Sequence, residues 1–205
     1  MPWRSHDRFG TAGLGDRLPD AALTGVQAVG AVVLLGTLAG IISEELFLFG
    51  ALGATTFLQL ANPLSAPASP RNTVVGHSVA CAAALLGVAI FGLWDAGPAT
   101  NTAIGADRVA AVAFALGVTI AVLVAFDRQH LAAGASAVVI ALGEVDDYVV
   151  SGFAVLVLTT YSFLTNRARG IPYPRWAPNP AVVAAARQAS VEERRLADGA
   201  QSDAD

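Results

Sequence analysis

Apolar positions along this chain gather into six runs, over residues 22–42, 46–61, 73–94, 109–126, 131–143 and 148–164, with short polar connections between them. A helix needs about 17–25 residues to cross a bilayer. The first, third, fourth and sixth runs meet that length, while the second and fifth are short and carry glycine. The pattern predicts an all-α integral membrane protein with six membrane segments. The first run starts behind Arg4, Arg8 and Arg17. It is too long for the core of a cleavable signal and reads as the first span.

Polar residues in the connections set an orientation. Arg71 lies between the second and third runs, Arg128 between the fourth and fifth, and Arg167, Arg169 and Arg175 after the sixth. The other connections carry Glu44 and Glu45, then Asp95, then Glu144, Asp146 and Asp147, with Arg108 as their single basic residue, beside Asp107. If all six runs cross, every other arginine falls on one side, and the positive-inside rule makes that side cytoplasmic. Both termini are then cytoplasmic in a multi-pass protein of the cell membrane. Four crossings with two re-entrant segments is the rival arrangement, and it puts Arg71 and Arg128 outside. The expected organisation is a cytoplasmic segment over 1–21, a membrane domain over 22–164 and a cytoplasmic tail over 165–205. In the tail, Asn179, Pro180 and Gly199 bracket a short helix over about 180–198, followed by a disordered end.

The runs also divide into two halves of three. "LGATTFLQLA" (52–61) can be laid on "AGASAVVIAL" (133–142), which aligns Gly53-Ala54-Thr55 with Gly134-Ala135-Ser136. Each motif lies in the short middle segment of its half. Three crossings per half would invert one repeat against the other, and glycine-interrupted segments at matching positions point to a transporter's central site. The same triplet also serves ordinary small-residue helix packing.

Composition fits this picture and removes several function classes. The chain is 55% hydrophobic and 14% charged, against roughly a quarter charged in soluble domains. The net charge of −4 is too mild to favour nucleic acid. One cysteine, Cys81, permits no internal disulfide. Three histidines and one cysteine offer no metal-ligand spacing, and a chain without lysine has no Walker lysine. There is no nucleophile elbow, and "GTAGLG" (10–15) follows no strand. No enzyme activity and no cofactor are expected. The expected partner is the lipid bilayer, and a homo-oligomer stays open.

The stretch "FGALGATTFLQLANPLSAPASPRNTVVGHSVACAAALLG" (49–87) resembles the signature of the HPP family of integral membrane proteins. The resemblance rests on Gly53, Ala54 and Thr55, then Pro63, Pro67 and Pro70, then Arg71 and Asn72, then Gly76 and His77. It extends more weakly to about residue 164. Where the family has His-Pro-Pro before its second Gly-Ala motif, this chain has His130, Leu131 and Ala132, so the rigid entry to the fifth segment is missing. The resemblance implies transport of a small solute such as an inorganic anion. Some plastid and cyanobacterial relatives are linked to nitrite.

Candidate residues follow from chemistry and position. Arg71 offers a planar fork of donors for an oxyanion and also anchors topology. Asn72 reads as the N-cap of the third helix. His77 stands about one turn inside an apolar helix, where an ionisable residue marks a functional site; it could donate to an anion or carry a proton, or simply tie two helices together. His130, at the equivalent mouth of the fifth segment, reads as a wetted loop residue. Gly53 and Gly134 would let backbone line a path, and Thr55, Thr56 and Ser136 offer hydroxyls to a solute or to their own helix. The expected function is passage of a small anion, such as nitrite, linked to a proton. The alternative is a non-transporting membrane module that packs against a partner.

Overall fold

The computed structural model describes residues 14–42, 50–102, 104–145, 147–171 and 176–178, with a few further positions between 180 and 188. Among the described residues every regular element is helical: α1 (Leu14–Ile42), α2 (Gly50–Ala61), a 3₁₀ turn (Ala66–Ala68), α3 (Pro70–Ile90), α4 (Ala106–Ala125), α5 (Leu131–Ala141) and α6 (Tyr148–Ala168). Four of them, α1, α3, α4 and α6, are long and apolar enough to cross a membrane. At about 1.5 Å per residue, the 11 residues of α5 cover only about half of a hydrocarbon layer roughly 30 Å thick. The Arg4 and Arg8 flank, the Glu44–Glu45 connection, Asp146, Arg175 and Asn179 lie outside the described residues. So does the end of the chain over 189–205. Of the tail helix expected over 180–198, Pro180, Ala181, Ala184 and Gln188 are helical.

Each helix starts and stops for a local reason. α3 is capped by Ser69, whose hydroxyl accepts from the Asn72 N–H, and Pro70 occupies the first helical position. The expectation that Asn72 caps this helix is therefore corrected. Proline's fixed φ suits that first position, which moves the cap back to Ser69 and puts Asn72 inside the first turn. α6 is capped by Asp147, whose carboxylate accepts from the N–H groups of Val149 and Val150. α5 starts at Leu131 directly after His130, so it opens without a proline. α3, α5 and α6 all end before a glycine with positive φ: Gly92, Gly143 and Gly170. Asp127 takes that left-handed role at the end of α4, with φ 52°.

The polar connections collect at two ends. At one end the Arg71 N–H meets the Trp176 carbonyl, and Asn72 donates to the Gln129 carbonyl. At the other, Ala99 N–H meets the Leu142 carbonyl, Thr100 binds Glu144, and Arg108 donates to the carbonyls of Ala96, Gly97 and Ala141. Arg108 is thus a buried clasp on the α3–α4 connection rather than a surface charge. α5 runs between these two ends: Gln129 before it meets Asn72, and Ala141 at its close meets Arg108.

Packing repeats between the halves. α3 packs on α4 and α1 on α6; α3 packs on α5 and α2 on α6; α4 packs on α5 and α1 on α2. α2 against α5 and α3 against α6 complete the set. Exchanging α1–α3 with α4–α6 maps this set of pairs onto itself. The close approach is made by alanine: Ala80, Ala84, Ala115, Ala133, Ala137 and Ala141 form one cluster with almost no exposure. Small side chains let helix backbones come together where lipid supplies no hydrophobic drive. Large apolar side chains such as Val26, Phe57, Leu131 and Val149 point outward instead, as lipid-facing residues do.

Candidate functional site

At the centre, the two repeat motifs meet on one imidazole. Thr55 of α2 places its Oγ1 3.0 Å from Nε2 of His77, and Ser136 of α5 places its Oγ 2.7 Å from Nδ1 of the same ring. Thr55 Oγ1 also lies 3.3 Å from Nε2 of His130, whose Nδ1 is 2.8 Å from the Pro67 carbonyl. The two rings are edge-to-face with centroids 5.0 Å apart. Thr55 is fully buried, His130 and Ser136 are each 2% exposed and His77 is 9% exposed. The reading of His130 as a wetted loop residue is thus corrected. Gly76 is the reason: a Cβ there would lie 2.8 Å from the His130 Cβ and 3.2 Å from the Ala133 Cβ. Only a residue without that carbon lets the His130 ring sit against α3.

Hydrogen-bond chemistry orders the protons. The Pro67 carbonyl can only accept, so His130 Nδ1 carries the hydrogen and Nε2 of the neutral ring is bare. The Thr55 hydroxyl is the donor that reaches it, sharing its hydrogen with the Ala51 carbonyl at 3.0 Å. Thr55 Oγ1 is then free to accept from His77 Nε2–H, and His77 Nδ1 accepts from the Ser136 hydroxyl. Ser136, His77, Thr55, His130 and the Pro67 carbonyl form one chain with all donors pointing the same way. An extra proton on His77 needs only a rotation of the Ser136 hydroxyl, since both hydroxyl oxygens can accept.

Above this chain lies a cleft of ≈ 390 Å³ lined by Arg71, Asn72, Pro67, Asp127, Gln129 and Pro178 among others. Pro67 belongs to both, so His130 is bonded to a residue that lines the cleft. Arg71 is half-buried, and its Nε is buried with no hydrogen-bond partner; Asn72 Oδ1 is in the same condition. These are buried polar groups that the described residues leave unsatisfied beside the cleft.

Other candidates lie elsewhere. Gly53 is exposed, and a Cβ on it would meet nothing within 4 Å. Gly134 faces Leu116 of α4, 3.3 Å from where a Cβ would stand. The glycines of the two motifs turn away from the histidines, and it is the hydroxyl at the third position that turns in. Thr56 bonds back to the Leu52 carbonyl at 2.7 Å and does not join the cluster.

A second polar layer went unnoticed in the sequence. One turn from Thr55 and His77, Gln59 Nε2 donates to Thr73 Oγ1 at 3.0 Å and to Thr159 Oγ1 at 3.3 Å, while Asn166 Nδ2 donates to the Gln59 carbonyl at 2.8 Å. The available signal was the spacing of Thr159, Ser162 and Asn166, which puts three polar groups on one face of α6.

A family profile described as HPP, transmembrane region, matches residues 16–174. The chain belongs to the HPP family. No curated protein and no solved structure matches it. In this HPP protein the signature residues gather in space as they do in sequence. Pro67 and Arg71 edge the cleft, Gly76 clears room for His130, and His77 and His130 share Thr55.

Proposed function

We propose that this HPP protein passes a small inorganic anion, such as nitrite, through the centre of the bundle together with a proton. The observation that carries the reading is the meeting of the repeat hydroxyls of Thr55 and Ser136 on the two nitrogens of His77, beneath a cleft that holds the unpartnered Nε of Arg71. Arg71 draws the anion into the wet mouth, an effect that salt weakens. The anion then meets donors at the histidine pair, and a proton on either ring adds the charge that holds it. Support for the pairing of proton and anion comes from the hydroxyl chain, which accepts an extra proton by rotating one O–H. The proposal includes six crossings of the cell membrane with both termini in the cytoplasm, supported by the arginine pattern and by α5 joining the two polar ends.

The test is flux into liposomes containing the pure protein, with nitrite, nitrate and chloride offered in turn across an imposed pH gradient. Anion entry is expected to rise as pH falls, because protonating a histidine strengthens anion binding. His77→Gln keeps hydrogen bonding but does not titrate, so it should flatten that dependence. No flux above protein-free liposomes for any of the three anions would hand the cleft and histidine pair to the alternative of a non-transporting packing module.

A further inference from the structure

We infer that the second polar layer is a binding site for a small monovalent cation, held between α2, α3 and α6. Its members are Gln59, Thr73, Ser162 and Asn166, each with no exposure, and Thr159 at 7%. None is charged. Among the described residues, three of their polar atoms find no hydrogen-bond partner and are buried: Gln59 Oε1, Ser162 Oγ and Asn166 Oδ1. An orphaned polar atom in an apolar interior is destabilising, so three orphans from one cluster of side chains call for a ligand.

The ligand's class follows from which atoms are orphaned. Two are amide oxygens, which have lone pairs and no hydrogen to give. Gln59 Nε2 already spends its hydrogens on Thr73 and Thr159, and Asn166 Nδ2 donates to the Gln59 carbonyl. An anion would therefore find its strongest neighbours repelling it. A cation finds a set of neutral oxygens, three of them unpartnered and two more on the threonine hydroxyls. Hard cations take oxygen ligands. A divalent ion needs carboxylates to offset its dehydration, and the layer has none, so a singly charged ion is the fit. The layer lies one helical turn from His77 along both α2 and α3, yet it shares no side chain with the histidine chain. It binds its ion whether or not an anion moves.

The experiment is equilibrium binding of radioactive sodium to the full chain in nanodiscs, in choline chloride at fixed ionic strength, with potassium and lithium as competitors. Saturable sodium binding is expected, competed by an alkali cation and not by choline. Ser162→Ala removes one orphaned oxygen, and Thr159→Val removes one of the threonine hydroxyl oxygens with little change of shape. Each should weaken sodium binding by about tenfold or more, the scale on which loss of a supporting group acts. The absence of saturable binding would mean that the layer holds only water, and it would overturn the inference. So would binding that survives unchanged in both variants, which would place the ion elsewhere. The wild-type protein alone decides whether a cation binds, and whichever variant folds decides where. Anion flux is not read in this assay, so its outcome is separate from that of the transport proposal.

Discussion

At Gly76 a single missing carbon decides how the centre is built. A methyl group there would come within 2.8 Å of the His130 Cβ, closer than carbon atoms pack. Gly76→Ala should therefore push His130 from Thr55 and from the Pro67 carbonyl. Overpacking of this kind costs about 1–3 kcal/mol, to be read as a lower melting temperature of the purified protein together with reduced flux. Ser136→Ala gives a subtler test. It leaves His77 Nδ1 without its donor but keeps the shape of α5, so the protein should remain folded while its proton-linked flux drops. Wild-type flux in Ser136→Ala would remove Ser136 from the route. These roles were only partly legible in the sequence. His77 and the paired hydroxyls stood out because polar groups in an apolar run have few reasons to be there. His130 did not, because a sequence shows its place before a helix and not the space beside Gly76 that buries it. The glycines of the two motifs attracted attention for the backbone freedom they provide, yet their side-chain-free faces point outward or toward Leu116.

Helix ends set the geometry at the next scale. Ser69 is fully buried and caps α3, so Ser69→Ala should cost about 0.5–2 kcal/mol. A melting curve would show the loss, and an unchanged curve would mean that Pro70 alone holds the start of the helix. α4 ends differently from its neighbours, since Asp127 holds a left-handed conformation that glycine holds in α3, α5 and α6. A side chain in that region costs roughly 1–2 kcal/mol. Asp127→Gly should raise the melting temperature slightly, and a fall would show that the contacts of the carboxylate outweigh the backbone strain. The long helices were readable from hydropathy to within a few residues, except that α1 begins at Leu14, eight residues before its apolar run. Hydropathy misses such a start because the first turns of a helix tolerate polar residues and proline alike, and Pro19 sits there. The cap of α3 was misassigned because Ser69 and Asn72 are both good caps, and only the proline between them separates the two.

For the molecule as a whole, the two halves pack by one scheme, and that scheme was visible in sequence only as a faint triplet. Three aligned residues cannot specify which helices touch, whereas the exchange of every packed pair between halves does. α1 is pinned to α6 by Arg169, which pairs with Asp20 and donates to Gln27 Oε1, and by Tyr161, whose hydroxyl donates to the Gln27 carbonyl. The number of crossings can be read by labelling. With Cys81 replaced by serine, single cysteines are placed at the exposed positions Asn62 and Asp95, which lie at opposite ends of α3. An impermeant thiol reagent added to intact cells should label Asp95→Cys and spare Asn62→Cys if all six segments cross. The reverse pattern would overturn six crossings with both termini in the cytoplasm.

The Pro67 carbonyl has a consequence for energy conservation in the membrane. The hydrogen-bonded chain ends on an atom that can receive a hydrogen bond but has no hydrogen of its own to hand onward. It therefore works as electrical insulation, and the row of hydroxyls and imidazoles is not by itself a conducting wire to the cleft. A cell carrying many copies of such a protein would not short-circuit its own proton gradient at rest. On the transport proposal, current would flow only when something in the cleft bridges the gap that the carbonyl leaves.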